Sequence, residues 1–560
     1  MTEKIGIYLC ECGPNIASKI DLDRLAVDLS KLDDYKGKEL IIKKHKLLCS
    51  VAGKQFLEEE INDNKLTHMV CAACSPRDHD STFINVCKKT QLNPYLYTIV
   101  NIREQVAWVI PEMEEATDKA LKYVHAGMNR VLYQTPLEEK QLDSNPDVLI
   151  IGGGMAGMEA AISTASKDRM VYLVEKSDKL GGHASSLFGL LPVQGENLSA
   201  LQRKIAEVKK NRFIKIFTNA EVERIVGFMG NFEVLLNAKG NDGILELITG
   251  AVVVATGYDL FDPNKLENIN YTAEDNVFNA LELEEMINEK KKVELRSGKE
   301  VSSVTLVHCV GRNEVGYCSK ICCNYNFKIS NYLQKQGIKK ITHLVRDICA
   351  PAKTSQKFQN KVIENGAKVI YVDSVNINGE KLTYKNRKGE QVNLNSDMIV
   401  LASSTIPNKS TQEISKLINL DLDEAGFFQE AHMKINPVQT NIDGVFAVGS
   451  AHGPGSIVDA IVQAKAAGGK ILTQLIPGQK IVPEVKVSEV LEAYCTGCQT
   501  CLQVCKYDSI YFDEDKGISV VNEAICRGCG NCIGSCPSGS IRSKHFTNPQ
   551  LYQEVKEALR

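Results

Sequence analysis

The sequence contains no apolar run approaching the roughly 18 residues that a membrane-crossing helix requires, so no membrane span is expected. Nor does it carry an excess of charge. Its 66 Lys and Arg face 69 Asp and Glu, a net charge of −3 that offers no basic footprint for nucleic acid. The opening residues, MTEKIGIYLCECG, lack the basic segment and apolar core of a secretory signal, and a cytoplasmic location is expected. The composition of disorder is missing too: 43% of residues are hydrophobic and 24% charged. A chain of 560 residues has room for three or four domains at roughly 100–200 residues each. Finally, two long stretches, 88–308 and 350–494, contain no cysteine at all.

That last absence gives the 19 cysteines their meaning. Six fall between Cys10 and Cys87, five between Cys309 and Cys349, and eight between Cys495 and Cys536. A disulfide scaffold would be short, exported and stapled throughout. Thiols gathered into three clusters in a reducing compartment are instead ligands for metal or redox groups.

The C-terminal eight read Cys495-TG-Cys498-QT-Cys501-LQV-Cys505 and Cys526-RG-Cys529-GN-Cys532-IGS-Cys536-Pro537. This is C-x2-C-x2-C-x3-C written twice, the two-cluster bacterial ferredoxin spacing. Three thiolates on a tight loop grip three corners of a cubane, and the fourth of each run reaches the other cluster. Cys495, Cys498, Cys501 and Cys536 are therefore assigned to one [4Fe–4S] cluster. Cys526, Cys529, Cys532 and Cys505 are assigned to the second. Lys506 stands where the first run would usually carry proline.

Residues 148–175 predict a strand, a glycine turn, a helix and a second strand: VLII, Gly152-x-Gly154-Met155-Ala156-Gly157, then VYLV ending at Glu175 and Lys176. The glycines allow backbone N–H groups and a helix N-terminus to approach a pyrophosphate, and Glu175 is placed for a ribose hydroxyl. Further segments point to FAD. They are Gly181-Gly182, the strand AVVVATG with Ala255, Thr256 and Gly257, and GVFAVGS with Gly449 and Ser450. The last resembles the late flavin motif of the thioredoxin- and glutathione-reductase families. Those carry Asp where Ser450 stands here, and Asp459, beside Ala460 on the following helix, is the candidate to compensate.

In two-nucleotide reductases a second Rossmann-like domain, usually for NAD(P)H, interrupts the FAD domain. Residues 275–440 occupy that position, with a strand at SSVTLVHCVG, a helix over 324–336 and a strand over 341–345. Between strand and helix, Gly311 and Gly316 do not make G-x-G-x-x-G, so the phosphate cradle is missing. Four thiols stand there instead: Cys309, Cys318, Cys322 and Cys323, read as ligands of a further [4Fe–4S] cluster. The rivals are buried free cysteines, disfavoured because four within 15 residues around a loop is too dense for packing, and a redox dithiol, disfavoured because the vicinal Cys322-Cys323 pair closes a strained ring. Cys349 stands apart in the sequence and receives no ligand role.

Residues 1–133 alternate strand and helix, with Cys10, Cys12, Cys49, Cys71 and Cys74 at strand ends. Strand C-termini of an α/β sheet converge on one edge, where ligands are held. Cys10, Cys12, Cys49 and Cys74 are chosen as a fourth cluster site, with Cys71 the alternative to Cys74. A thiol-lined structural pocket is the competing reading.

The fold class is therefore α/β. The expected domains are an N-terminal iron–sulfur domain (1–140), an FAD domain in two parts (145–274 and 441–480), the inserted Rossmann-like domain (275–440) and a ferredoxin domain (486–545). This order, with YLCECGPNIA, CSPRDHDSTF and HCVGRNEVGYCSKICC, closely resembles the A-type subunit of CoB–CoM heterodisulfide reductase and its bacterial relatives over essentially the whole chain. The resemblance implies a flavin-based electron-bifurcating component. Its implied partners are B- and C-type subunits, a hydrogenase- or formate-dehydrogenase-type donor, ferredoxin and a second copy of the A-type chain. The family's flavin-contacting lysine matches Lys328, and its acidic residue near the flavin corresponds to Glu284 in NALELEE. Many methanogen forms insert a further ferredoxin within the FAD domain; the cysteine-free stretch 88–308 implies about four cubanes here, one per thiol quartet. A flavin that only relays electrons needs the same cofactors, and the sequence leaves both open. An independent NAD(P)H-dependent disulfide reductase is disfavoured by the missing glycine cradle.

Overall fold

The computed structural model describes residues 3–189, 199–238, 243–269, 271, 274–378 and 381–559. Their backbone forms two compact units, one of residues 1–141 with 482–560, the other of residues 142–481.

The first unit starts with apolar runs too short and β-branched for helices. KIGIYLC, ELIIKKH, HMVCAA and YTIVN become four parallel strands in the order Glu39–His45, Lys4–Cys10, His68–Ala73, Tyr97–Asn101. His68–Ala73 is buried along its whole length, as a central parallel strand covered on both faces must be. Helices follow where caps allow them to start: Asp21 accepts from the N–H groups of Asp23 and Arg24 to begin Leu22–Ser30, and Ser50 accepts from Gly53 to begin Val51–Asn64. The C-terminal part of this unit is small. Two antiparallel strand pairs, Ser488–Val490 with Ile541–Ser543 and Ile510–Asp513 with Ile518–Val521, flank the short helices Thr500–Val504 and Asn531–Ser535. A closing helix, Asn548–Leu559, packs on Met113–Leu132. There His125 lies 3.2 Å from Asp34 and 3.4 Å from Glu557.

The second unit is built on a five-stranded parallel sheet in the order Val445–Ala447, Ala251–Val254, Val148–Ile151, Val171–Val174, Ile214–Phe217. The sequence order reverses at Val148–Ile151, which makes its C-terminal end the crevice where ligands settle in such sheets. A three-stranded antiparallel sheet (Ala220–Phe228, Asn231–Ala238, Gly243–Thr249) covers one side. The strands Tyr258–Leu260 and Thr405–Pro407 pair antiparallel. Between them lies a seven-stranded sheet whose parallel core runs Val277–Asn279, Met398–Ser403, Ser303–Val310, Lys340–Val345, Lys368–Asn378. Met398–Ser403 is buried at every residue, and each buried Val, Leu or Ile contributes about 1.5–3 kcal/mol. Among the described residues no helix is long and apolar enough to cross a membrane.

Candidate functional site

A cavity of about 1100 Å³ opens at the sheet reversal of the second unit. Its wall begins with the glycine loop. Gly152 has φ +110°, and a Cβ there would lie 2.4 Å from the Ala255 carbonyl oxygen. At Gly157 a Cβ would fall 1.9 Å from the Gly152 carbonyl oxygen, so this glycine serves helix–strand packing and does not itself line the cavity. Gly154, at the N-cap of Met155–Thr164, has nothing within 4 Å of a Cβ and leaves bare backbone facing the space. Met155 and Ala156 join it. The Glu175 carboxylate lines the cavity and is tied to the loop, accepting from Gly153 N–H at 2.6 Å and from Ser177 N–H at 2.8 Å.

Gly181, Gly182, Ala255, Thr256 and Gly257 also line the cavity, as do Gly449, Ser450, Asp459 and Ala460, with Gly449 close against Ala156. Three expectations change. Lys176 points away from the cavity and pairs with Glu221 at 3.1 Å. Asp459 lines the space, but its carboxylate also closes the helix cap, accepting from Ser456 N–H and Oγ. Glu284 stands behind the wall, fully buried, its carboxylate 2.5 Å from Lys328 Nζ and accepting from Phe188 N–H. Lys328 does reach the cavity, donating to the Gly189 carbonyl oxygen and lying over the Phe188 and Tyr325 rings.

Sequence reasoning missed other wall residues. His183 stacks on Tyr258 with ring centroids 4.5 Å apart, and both line the cavity. Neither belongs to a spaced motif, so no local signal marked them. The Thr256 hydroxyl is buried without a hydrogen-bond partner, on a residue that lines the same space. An orphaned hydroxyl, bare glycine backbone and a ribose-competent carboxylate fit a dinucleotide with a flavin.

Cys309, Cys318, Cys322 and Cys323 meet at the C-terminal end of Ser303–Val310. Cys322 begins helix Cys322–Lys335 and lines the flavin-side cavity. The neighbouring Cys322 thiol, with His308 acting in the same sense, pulls the Cys323 thiol below its usual range. Cys309 and Cys318 are both near enough to act electrostatically on Cys322. Cys349 also arrives there, contrary to expectation: its N–H donates to Cys323 Sγ at 3.4 Å, and burial together with the nearby Cys318 raises its thiol. The site thus holds five thiols. Gly311, where a phosphate loop would lie, packs instead on Phe261, whose ring a Cβ would approach to 2.4 Å.

In the first unit, burial raises the Cys10 thiol, and Cys12 and Cys49 are close enough to raise it further. Burial raises Cys74 to about 12, with Arg103 opposing and Cys49 adding. Cys71 is fully buried, which raises its thiol well above the usual range, with Cys87 and then Cys10 and Cys74 as the thiols acting on it. At the C-terminus, Cys495, Cys498, Cys501 and Cys536 line one small pocket, while Cys532 is surrounded by Cys526, Cys505 and Cys529. Free thiols converging in fours on small sites are suited to iron–sulfur ligation.

Residues 146–464 match the family described as pyridine nucleotide-disulphide oxidoreductase, and residues 494–540 match the 4Fe-4S dicluster domain. The sequence is 30% identical to the second iron–sulfur A-type subunit of the CoB–CoM heterodisulfide reductase of Methanopyrus kandleri, across 100% of this chain and 99% of that protein. The chain belongs to the A-type family of heterodisulfide reductase subunits.

Other members of the A-type family are similar at the same level. The A-type subunit of the ferredoxin/F420H2-dependent CoB-CoM heterodisulfide reductase of Methanosarcina acetivorans is 30% identical, over 99% of this chain and 81% of its own. Its counterpart in the H2:CoB-CoM heterodisulfide,ferredoxin reductase of Methanothermobacter marburgensis is 29% identical over 91% of each. Among solved structures, a thioredoxin reductase of T. acidophilum superposes with a TM-score of 0.42 at 19% identity, covering 59% of this chain and 98% of that one. This A-type chain is accordingly an α/β oxidoreductase of the flavin and iron–sulfur type, with a nucleotide-binding disulphide-oxidoreductase core and a C-terminal dicluster domain.

Proposed function

We propose that this chain is the flavin-based electron-bifurcating, or in reverse confurcating, component of a heterodisulfide reductase-like complex. In this reading it carries FAD and four [4Fe–4S] clusters. Its partners are ferredoxin, B- and C-type disulfide-reducing subunits, a hydrogenase- or formate-dehydrogenase-type donor and a second copy of itself. The domain division at 140/145, 274/275, 440/441 and 480/486 belongs to the same reading.

One observation carries it. Cys322 and Lys328, on one helix, share the wall of the cavity formed by Gly152, Gly154 and Thr256. A thiol site therefore stands against the flavin cavity where the related reductases hold a nicotinamide nucleotide. FAD, when bound, supplies the step between two-electron and one-electron chemistry. The chain's own residues do the rest. Glu175 and the glycine loop orient the nucleotide end. Lys328 presents positive charge from the cavity wall, and Glu284 holds that ammonium in place from behind. Phe188 and Tyr325 flank the ammonium with aromatic surface.

The deciding experiment has two parts. Iron and acid-labile sulfide per FAD should reach about 16 for four cubanes; about 8 would leave the C-terminal pair alone. Potentiometry of the bound flavin should then give crossed one-electron potentials. Ordered potentials lying near those of the clusters would assign the chain to simple relay instead.

A further inference from the structure

Two thiols far apart in the chain are presented in the same uncommon way. Cys12 and Cys309 both adopt left-handed backbone, with φ +47° and +59°. For a residue with a Cβ this backbone is disfavoured. Cys12 follows the strand Lys4–Cys10 by two residues, and Cys309 sits in the register shift near the end of Ser303–Val310. Each thiol accepts from a guanidinium: Arg103 Nη1 to Cys12 Sγ at 3.6 Å, and Arg312 Nη1 to Cys309 Sγ at 3.8 Å.

Each guanidinium is in turn pinned by carboxylates. Arg312 donates to Asp347 Oδ1 at 2.6 Å. Arg103 donates to Glu104 Oε1 at 2.5 Å and to Asp78 Oδ2 at 3.2 Å. Both arginine side chains are largely shielded, 17% and 25% exposed. No local motif links the two sites, since Arg103 comes 91 residues after Cys12 and Arg312 only three after Cys309. The same arrangement is thus assembled by different routes in two different sheets. Strained backbone persists where its surroundings over-determine it, and such places cluster at functional sites.

We propose that Arg103 and Arg312 are positioning residues that raise the reduction potentials of the clusters whose ligand sulfurs they touch. The proposal rests on the reading that these thiols hold [4Fe–4S] clusters. Reduction adds one electron, and so one negative charge, to a cluster. A guanidinium that is always protonated and hydrogen-bonded to a ligand sulfur stabilises that added charge. Shielding from solvent keeps the effect from being screened. The Asp347 carboxylate, on the same guanidinium, acts with the opposite sign. At the flavin-side site this gives direction: Arg312 makes that cluster the favourable exit for an electron leaving the cavity.

The test is an EPR-monitored redox titration of the full chain loaded with FAD and clusters. The flavin-side signal is identified as the one missing from Cys318→Ala. Arg312→Gln is expected to disfavour reduction about tenfold, which is about 59 mV for one electron. Arg312→Lys, which keeps the charge, should stay near the parent midpoint, and Asp347→Asn should move it upward. Opposite shifts from the two partners are not produced by a merely structural role. An Arg312→Gln chain with its full iron and an unmoved midpoint overturns the inference and leaves the cluster reading standing. So does an Asp347→Asn shift in the same direction as Arg312→Gln. A parent chain without any signal that depends on Cys318 or Cys323 overturns the reading and the inference with it. If Arg312→Gln loses its cluster, the Arg312→Lys and Asp347→Asn pair decides the question.

Discussion

The Lys328 ammonium and the Glu284 carboxylate form an ion pair of 2.5 Å with Glu284 fully buried and Lys328 8% exposed. Burial raises the Glu284 carboxyl above its ordinary range and lowers the Lys328 amine below its own, each partner only in part offsetting that cost for the other. Breaking such a pair from one side leaves an uncompensated buried charge, at about 3–5 kcal/mol. Lys328→Met should therefore lower the urea midpoint of the flavin-holding unit strongly. The double variant with Glu284→Gln should recover most of the loss.

The same pair gives a pH dependence of definite sign. A raised carboxyl costs stability above its folded value, and the cost is relieved as pH falls towards the ordinary 4.5. A lowered amine costs stability below its folded value, and the cost is relieved as pH rises towards the ordinary 10.5. Relative to the double variant, the parent chain should be weakest near neutrality and improve towards both ends. Unfolding midpoints of the two proteins across pH measure this directly.

At the flavin-side thiols, four ligands suffice for a cubane and five are present. Cys309→Ser, Cys322→Ser and Cys323→Ser should each remove about four irons per chain. Cys349→Ser should leave the iron count unchanged, because the backbone N–H of Cys349, which survives the substitution, makes the contact with Cys323. Loss of iron from Cys349→Ser would move the ligand assignment to that residue.

In the first unit, Cys74→Ala should remove about four irons. Cys71→Ala should keep them and cost only about 1 kcal/mol in stability, since the Cys71 thiol is packed in the core. Iron analysis of the two variants separates the two assignments.

Gly157→Ala would place a methyl group 1.9 Å from the Gly152 carbonyl oxygen. Helix Met155–Thr164 must then move off the loop, at about 1–3 kcal/mol. Flavin absorbance per chain should fall sharply while the iron of the C-terminal pair stays. Lys176→Ala, outside the cavity, should leave the flavin in place.

The C-terminal thiols were legible because each run of ligands lies within eleven residues, a distance over which a loop and one short helix define the geometry by themselves. The glycine loop was legible for the same reason: a strand, a turn and a helix N-terminus are consecutive in the chain. The structure places Cys536 in the pocket of Cys495, Cys498 and Cys501, and Cys505 near Cys532. Cys349 was not legible. It lies 26 residues after Cys323, and it returns to the site only because Lys340–Val345 pairs in parallel with Ser303–Val310 and ends on the same edge. That edge is a signal of a kind, since a cysteine four residues past a parallel strand is carried towards its neighbour's ligands.

By itself, then, the sequence determined the chemistry carried by adjacent residues: the ferredoxin spacing, the nucleotide loop and the loss of a second phosphate cradle. The tertiary structure alone decided which distant side chains meet. It turned Cys71 into the core and Cys74 towards Cys49, set Glu284 behind Lys328, and brought Arg103 to Cys12 across 91 residues. The physical reason is that short-range spacing is constrained by covalent geometry. Strand order, and with it which strand ends lie side by side, is settled only when the apolar faces of the whole sheet are buried together.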